Sequence, residues 1–193
     1  NWRNRNTLSG SKKNISAHYD LGNSMYQLFL DQSMMYSSAV YPTPDSTLEQ
    51  AQQHKLRLIC ERLQLKNTDH LLEIGTGWGS LAIFAARNYG CQVTTTTISR
   101  EQHDYAQQQI RAAGLEGQIE LLFQDYRELQ GRYDKLVSIE MIEAVGHEFL
   151  DGYFAKCSSL LKSDGLMVLQ AITIADQRYD FYRKEVDFIK KFV

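Results

Sequence analysis

Three glycines at alternate positions, Gly75, Gly77 and Gly79, follow the apolar run His70-Leu71-Leu72-Glu73-Ile74, and a helical pattern opens at Ser80. Glycine tolerates a positive φ and carries no side chain, so a backbone can turn sharply there and admit a ligand to close approach. With Thr76 and Trp78 between the glycines, the spacing is G-x-G-x-G, and Ser80 stands where a dinucleotide fingerprint would put its third glycine. Glu73 sets a carboxylate two residues before the first glycine. A second group of candidates ends the next apolar run, where Thr97-Ile98-Ser99 leads into Arg100-Glu101-Gln102. Sheets that bind nucleosides often carry a ribose-gripping carboxylate at this point, and this chain has none. Instead the free N–H groups of the helix opened by Ser99 and Gln102 face the same region. A third group is Gln124-Asp125-Tyr126-Arg127, in which Asp125 suits hydrogen bonding to an adenine amino group and Tyr126 suits stacking on the ring. A fourth, Glu140, Glu143 and His147, sets carboxylates among apolar neighbours, an environment that shifts pKa values and favours proton transfer. A histidine after Gly146 also reads as an ordinary helix-start residue, and Glu140 as one that fixes a loop.

These residues need a scaffold that brings strand ends together, and the rest of the chain supplies the pattern for one. Strand-like runs cover 71–75, 92–98, 119–124, 136–142 and 166–174, with helical segments between them. Ser46 with Glu49, and Ser99 with Gln102, have capping-box spacing, while Gly90, Gly114 and Gly165 stand where helices would end. Alternating strands and helices imply an α/β fold with a mostly parallel sheet covered on both faces. In such sheets ligands bind beyond the carboxyl ends of the strands, where the glycine loop would lie.

Composition narrows the partners only broadly. A chain of 193 residues with 43% hydrophobic content fits a single core, and a formal charge of −2 gives no whole-chain reason to expect nucleic acid. Basic residues gather near both ends (Arg3, Arg5, Lys12, Lys13; Arg183, Lys184, Lys190, Lys191), as solvated surface or as weak attraction to anionic lipid. Cys60, Cys91 and Cys157 lack C-x-x-C spacing and read as reduced thiols of a cytoplasmic protein, with no disulfide framework and no metal site. No apolar run is long enough to span a bilayer. The absence of an initial Met, and the helical run Tyr182, Val186, Ile189, Val193 without a stop signal, suggest a fragment. Ahead of the sheet, residues 1–45 read as a helical appendage rich in Met and aromatics, an adaptable lid for an apolar substrate or an extra layer of packing. Residues 46–193 read as the ligand-binding domain.

The glycine loop with its preceding Glu73 resembles the first motif of the S-adenosylmethionine (SAM) methyltransferases. The succession HYDLGN, FLDQSMMYSSAVY, LEQAQQHKL, LEIGTGWGSLAIFAA, TISREQ, QDYREL and EMIEAVGHE is similar, from about Ile15 onward, to the cyclopropane fatty acid synthases and mycolic acid cyclopropane synthases. The run from Val168 to Tyr179 looks closest to their plant-like branch. The resemblance implies a Rossmann-like class I SAM methyltransferase fold whose last strands lie beyond this chain. It implies transfer of the SAM methyl to a cis double bond of a phospholipid acyl chain, with ring closure by proton loss to a bound bicarbonate. SAM would be held by Tyr36, Ser37, Gly75, Thr76, Gly77, Trp78, Gly79, Thr97, Ile98, Ser99, Gln102, Asp125, Tyr126 and Arg127. Bicarbonate would be held by Glu143, Gln170 and the backbone of Ser38 and Ile172. The family usually has Cys at position 38 and His at 170, and Gln170 donates a hydrogen bond without carrying charge. The implied partner is unsaturated phospholipid, met peripherally at the membrane surface by a cytoplasmic enzyme, and a homodimer is among the assemblies allowed. Three other readings remain: a lipid C-methyltransferase giving a methyl-branched or methylene product, a small-molecule N-methyltransferase, and a non-catalytic relic of the fold.

Overall fold

In a computed structural model, residues 23–184 are described, with side chains to Phe181. The N-terminal basic cluster, HYDLGN up to Gly22 and residues 185–193 lie outside these descriptions, as do the side chains of Tyr182, Arg183 and Lys184. Five strands, β1 (His70–Ile74), β2 (Gln92–Thr97), β3 (Ile119–Phe123), β4 (Tyr133–Ile139) and β5 (Leu161–Gln170), form one parallel sheet in the order β3-β2-β1-β4-β5. Helices α1 (Leu48–Arg62), α2 (Ser80–Tyr89), α3 (Arg100–Ala112), α4 (Leu150–Leu160) and α5 (Asp176–Lys184) follow in chain order. The chain runs outward from β1 to β3 and then returns to β4 on the other side of β1. The carboxyl ends of β1 and β4 therefore flank the switch point where α/β sheets open a crevice.

Strand alternation divides the core between two faces. Leu71 packs with Val93, Val137 and the apolar sides of α1 and α2, whereas Leu72 and Ile74 pack with Leu136, Tyr133 and the α4 residues Tyr153, Cys157 and Leu160. Thr94 to Thr97 of β2 are all buried, which a β-branched former tolerates only if each hydroxyl is bonded. Each is: Thr94 Oγ1 lies 2.8 Å from His70 Nε2, Thr95 donates to Glu73 at 2.6 Å, Thr96 to the Gln124 carbonyl at 2.5 Å and Thr97 to Gln102 Oε1 at 3.0 Å. The three cysteines are free and buried, and burial pushes their thiols up to about 12 for Cys60 and about 11 for Cys91 and Cys157.

Several element ends differ from the sequence expectation. The capping box of α1 is Thr47 with Gln50, one residue past Ser46 and Glu49, because Ser46 Oγ is taken by Thr43 in the preceding turn. Ser99 does cap α3, but the Gln102 side chain bonds Thr97 and leaves that box half made. Gly165 ends no helix. It lies within β5, where a Cβ would come 2.8 Å from Leu161 Cδ2 and 3.1 Å from the Asp134 carbonyl. β4 stops at Ile139 and not at Ile142, since Glu140 takes φ 47° and turns the chain away. Deprived of that neighbour, β5 stops at Gln170, and Ile172 and Ile174 fall in the loop beyond it.

Candidate functional site

At the end of β1, Gly75, Gly77 and Gly79 take φ values of 100°, 53° and 96°. The first bend is fixed by the N–H groups of Gly75 and Thr76, which both donate to the Thr96 carbonyl at 3.1 Å. Beneath the loop lies a buried chain in which Thr76 Oγ1 and Thr95 Oγ1 stand 2.7 Å apart and Thr95 donates to Glu73. Among the described residues no cation stands beside Glu73, and burial pushes its carboxyl up to about 8. Gly79 allows α3 to approach, since a Cβ there would meet Ala106 Cβ at 3.2 Å. Gly77 is different, because a Cβ there would enter open space. A half-buried turn with open space above Gly77 fits a ligand cradle, and the loop suits SAM.

Other expected cofactor residues follow the carboxyl ends of the neighbouring strands β2 and β3. Thr97 Oγ1 accepts from the Ser99 N–H at 3.1 Å, and Ser99 Oγ accepts from the Gln102 N–H at 3.3 Å, which locks the β2–α3 turn around the half-buried Ile98. Asp125 is 2% exposed and accepts from Arg127 Nε at 2.8 Å and Nη2 at 2.6 Å. That ion pair holds the guanidinium charge above its ordinary range and ties down the rim at Tyr126, which packs edge-on against Tyr153 at 5.6 Å. Trp78 turns away from the open side. Its Nε1 donates to Asn23 Oδ1 at 2.7 Å and its ring lies 4.9 Å from Tyr26, anchoring the N-terminal segment. Tyr36 is 49% exposed beside Phe29, and with Met25 and Leu28 they form an uncovered apolar surface next to the loop.

The segment from Tyr36 to Ser38 is held against the strand ends by two residues that sequence reasoning missed. Gln52 of α1 donates to the Met35 and Ser37 carbonyls at 3.1 and 2.9 Å. Lys55 Nζ donates to Ser37 Oγ at 2.8 Å and to the Ser38 and Ser37 carbonyls at 3.0 and 3.2 Å. Burial lowers the Lys55 pKa to about 8, with Glu140 and Asp31 opposing the shift. The available signal was a lysine inside the apolar stripe Ala51, Leu56, Ile59 of an otherwise amphipathic helix.

At the end of β4 the two carboxylates take different partners. Glu140 Oε1 accepts from the Ser38 N–H at 3.0 Å, from Gln170 Nε2 at 2.8 Å and from the Ser38 hydroxyl. Gln170 Nε2 also donates to the Ser38 carbonyl at 3.1 Å. Glu143 Oε1 accepts from the Ile172 N–H at 2.5 Å. The four residues that the resemblance assigns to bicarbonate are thus brought together, with Glu140 engaging the donors that would receive the ion. As an additional anion, bicarbonate does not fit this donor set. His147 is exposed, with Nδ1 2.6 Å from the Tyr179 hydroxyl of α5. Among the described residues no group of three or more His, Cys, Asp or Glu is arranged to hold a metal ion.

Comparison with known proteins agrees with this geometry. The family model described as mycolic acid cyclopropane synthetase matches residues 7–193. A probable fatty acid methyltransferase of Pseudomonas putida is 46% identical over 161 residues, covering 82% of this chain and 41% of the relative. The cyclopropane-fatty-acyl-phospholipid synthase of Escherichia coli K12 is 46% identical over 155 residues, covering 80% of this chain and 39% of that enzyme. The chain therefore spans about two-fifths of the length of these curated relatives. A mycolic acid cyclopropane synthase crystallised with SAH and CTAB superposes with a TM-score of 0.83 at 32% identity, covering 90% of this chain and 61% of that one. The parallel sheet, the glycine cradle and these matches agree on a class I fold, and the chain belongs to the mycolic acid cyclopropane synthetase family of SAM-dependent methyltransferases.

Proposed function

We propose that this chain is the SAM-binding part of an enzyme that transfers a methyl group to a cis double bond in a phospholipid acyl chain and closes a cyclopropane ring. The observation that carries this reading is the contact of Ser38 with Glu140 and Gln170, which joins an apolar, exposed N-terminal segment to carboxylates at the sheet's carboxyl edge. SAM supplies an electrophilic methyl group when bound. The chain's own residues do the rest: Gly75 to Gly79 cradle the cofactor, and Tyr36 and Phe29 offer an apolar wall that keeps water from a cationic centre. Glu140 and Glu143 place negative charge where a proton must leave. The substrate is met at the bilayer surface, on its cytoplasmic side. Among the described residues no helix is long and apolar enough to cross a membrane.

One alternative has an observation in its favour. Gln170 is neutral, and proton loss from a neighbouring carbon in place of the added methyl would give a methylene or branched product. The P. putida relative carries the name of a fatty acid methyltransferase. Mass spectrometry and proton NMR of phospholipids from cells expressing the protein separate the two. A gain of one methylene with new ring protons and loss of alkene signals is the expected outcome. The same mass gain with a methyl or exomethylene signal selects the alternative, and unchanged lipids with SAM bound would refute both.

A further inference from the structure

We infer that Glu140 is the base that removes the proton, its carboxylate standing inside the donor set that would otherwise receive a free anion. The inference rests on the lipid methyl-transfer reading above. Three donors converge on one oxygen: the Ser38 N–H at 3.0 Å, Gln170 Nε2 at 2.8 Å and the Ser38 hydroxyl. The Ile172 N–H is taken by Glu143. A bicarbonate added here would find its donors engaged and two like charges beside it, an arrangement that disfavours ionisation.

The backbone is organised around this carboxylate. Glu140 occupies φ 47°, a region uncommon for a residue with a Cβ, and its N–H is pinned to the Gln170 carbonyl at 2.8 Å. That turn directs the side chain back across the strand ends toward Ser38, 102 residues away in sequence. Non-glycine residues persist in such conformations where the surrounding structure holds them, and these positions cluster at functional sites. Gln170 donates without charge, so it orients Glu140 through a hydrogen bond and not through an ion pair. Lys55, the nearby cation, points its three N–H donors at Ser37 and the Ser38 carbonyl and so acts on Glu140 only through space.

The step balances with this residue as acceptor. The alkene's π pair forms a bond to the methyl carbon as the carbon–sulfur bond breaks, and sulfur keeps that pair. The adjacent chain carbon is left cationic. Glu140 takes a proton from the added methyl, and the released C–H pair closes the ring. The carboxylic acid then returns its proton to water.

The test uses vesicles of dioleoyl phosphatidylglycerol, methyl-labelled SAM and buffer stripped of carbon dioxide, with and without added bicarbonate. Wild type is expected to transfer label equally in both. Glu140→Gln should lose about a hundredfold or more in turnover, with SAM affinity within a few-fold of wild type. Glu140→Gly vacates the donors, and it should be inactive without bicarbonate and regain turnover with it. Failure of that rescue in a folded, SAM-binding variant would make Glu140 a structural residue and overturn the inference. So would a wild type that needs bicarbonate, or a Glu140→Gln variant with undiminished turnover. A wild type that binds SAM yet labels no lipid in either buffer removes the lipid reading itself, and the base is left without a substrate.

Discussion

Replacing Glu73 with glutamine is expected to stabilise the protein, by an amount that grows with pH. Burial raises the carboxyl from 4.5 to about 8, opposed by the hydrogen bond from Thr95. Between those values the folded chain keeps a proton that the unfolded chain has already released. Stability is therefore fully present below pH 4.5 and is lost as pH rises toward 8. The slope is about 1.4 kcal/mol per pH unit, which gives a penalty of about 3 kcal/mol at pH 7 and about 5 kcal/mol above pH 8. Glutamine has the same shape and offers Thr95 Oγ1 an acceptor at the same 2.6 Å, but it has no proton to hold. Urea unfolding of wild type and Glu73→Gln across this pH range reads the difference directly. The two stabilities should nearly coincide in acid and diverge toward neutrality, glutamine being the more stable. A difference that stays constant with pH, or a variant less stable than wild type at neutral pH, would refute the argument that Glu73 is a buried, protonated acid.

Gly77→Val places two methyl groups in the open space above the loop and strains a φ of 53°; SAM affinity measured by calorimetry should fall at least about a hundredfold, with the circular dichroism spectrum unchanged. Lys55→Met removes one of two side-chain donors from each of the Ser37 and Ser38 carbonyls and the donor to Ser37 Oγ, and denaturant unfolding should show a loss of about 1–3 kcal/mol. Glu143→Gln keeps an acceptor for the Ile172 N–H but removes the charge; label transfer to vesicles should drop about tenfold or more, with SAM affinity within a few-fold.

Reading the sequence located these residues unevenly, for physical reasons. The glycine loop was legible because positive φ and close approach restrict a position almost to one residue type. The five strands were legible because buried parallel strands leave continuous apolar runs. Their ends were not, because Glu140 carries no local signal for φ 47°, and once the chain turns there β5 loses its partner at Gln170. That turn also decides which carboxylate meets Ser38. From sequence Glu143 was the functional candidate and Glu140 as readily a residue that fixes a loop, and only the three-dimensional path shows which partners each one takes. Lys55 was hidden for a different reason. A lysine in a helix is ordinarily solvated, and its burial follows from carbonyls 17 and 18 residues upstream folding over α1.

The arrangement of charge at the strand ends is asymmetric, and the asymmetry suits the proposed reaction. Glu140 and Glu143 lie past the end of β4, Glu143 exposed and Glu140 half-buried. Lys55 is 1% exposed and is turned behind Ser37 and Ser38, whose oxygens take all three of its donors. During methyl transfer to an alkene, positive charge leaves the sulfonium and arrives on the acyl chain. Carboxylates fixed beside the acceptor interact more strongly with the charge after it moves than before, and such a difference lowers a barrier. A lysine placed on the same side would oppose the migrating charge. Held behind the loop, it fixes Ser38, and Ser38 in turn fixes Glu140. The buried cation therefore serves the chemistry by positioning the anion, while the protein's negative charge is what the reacting carbon meets.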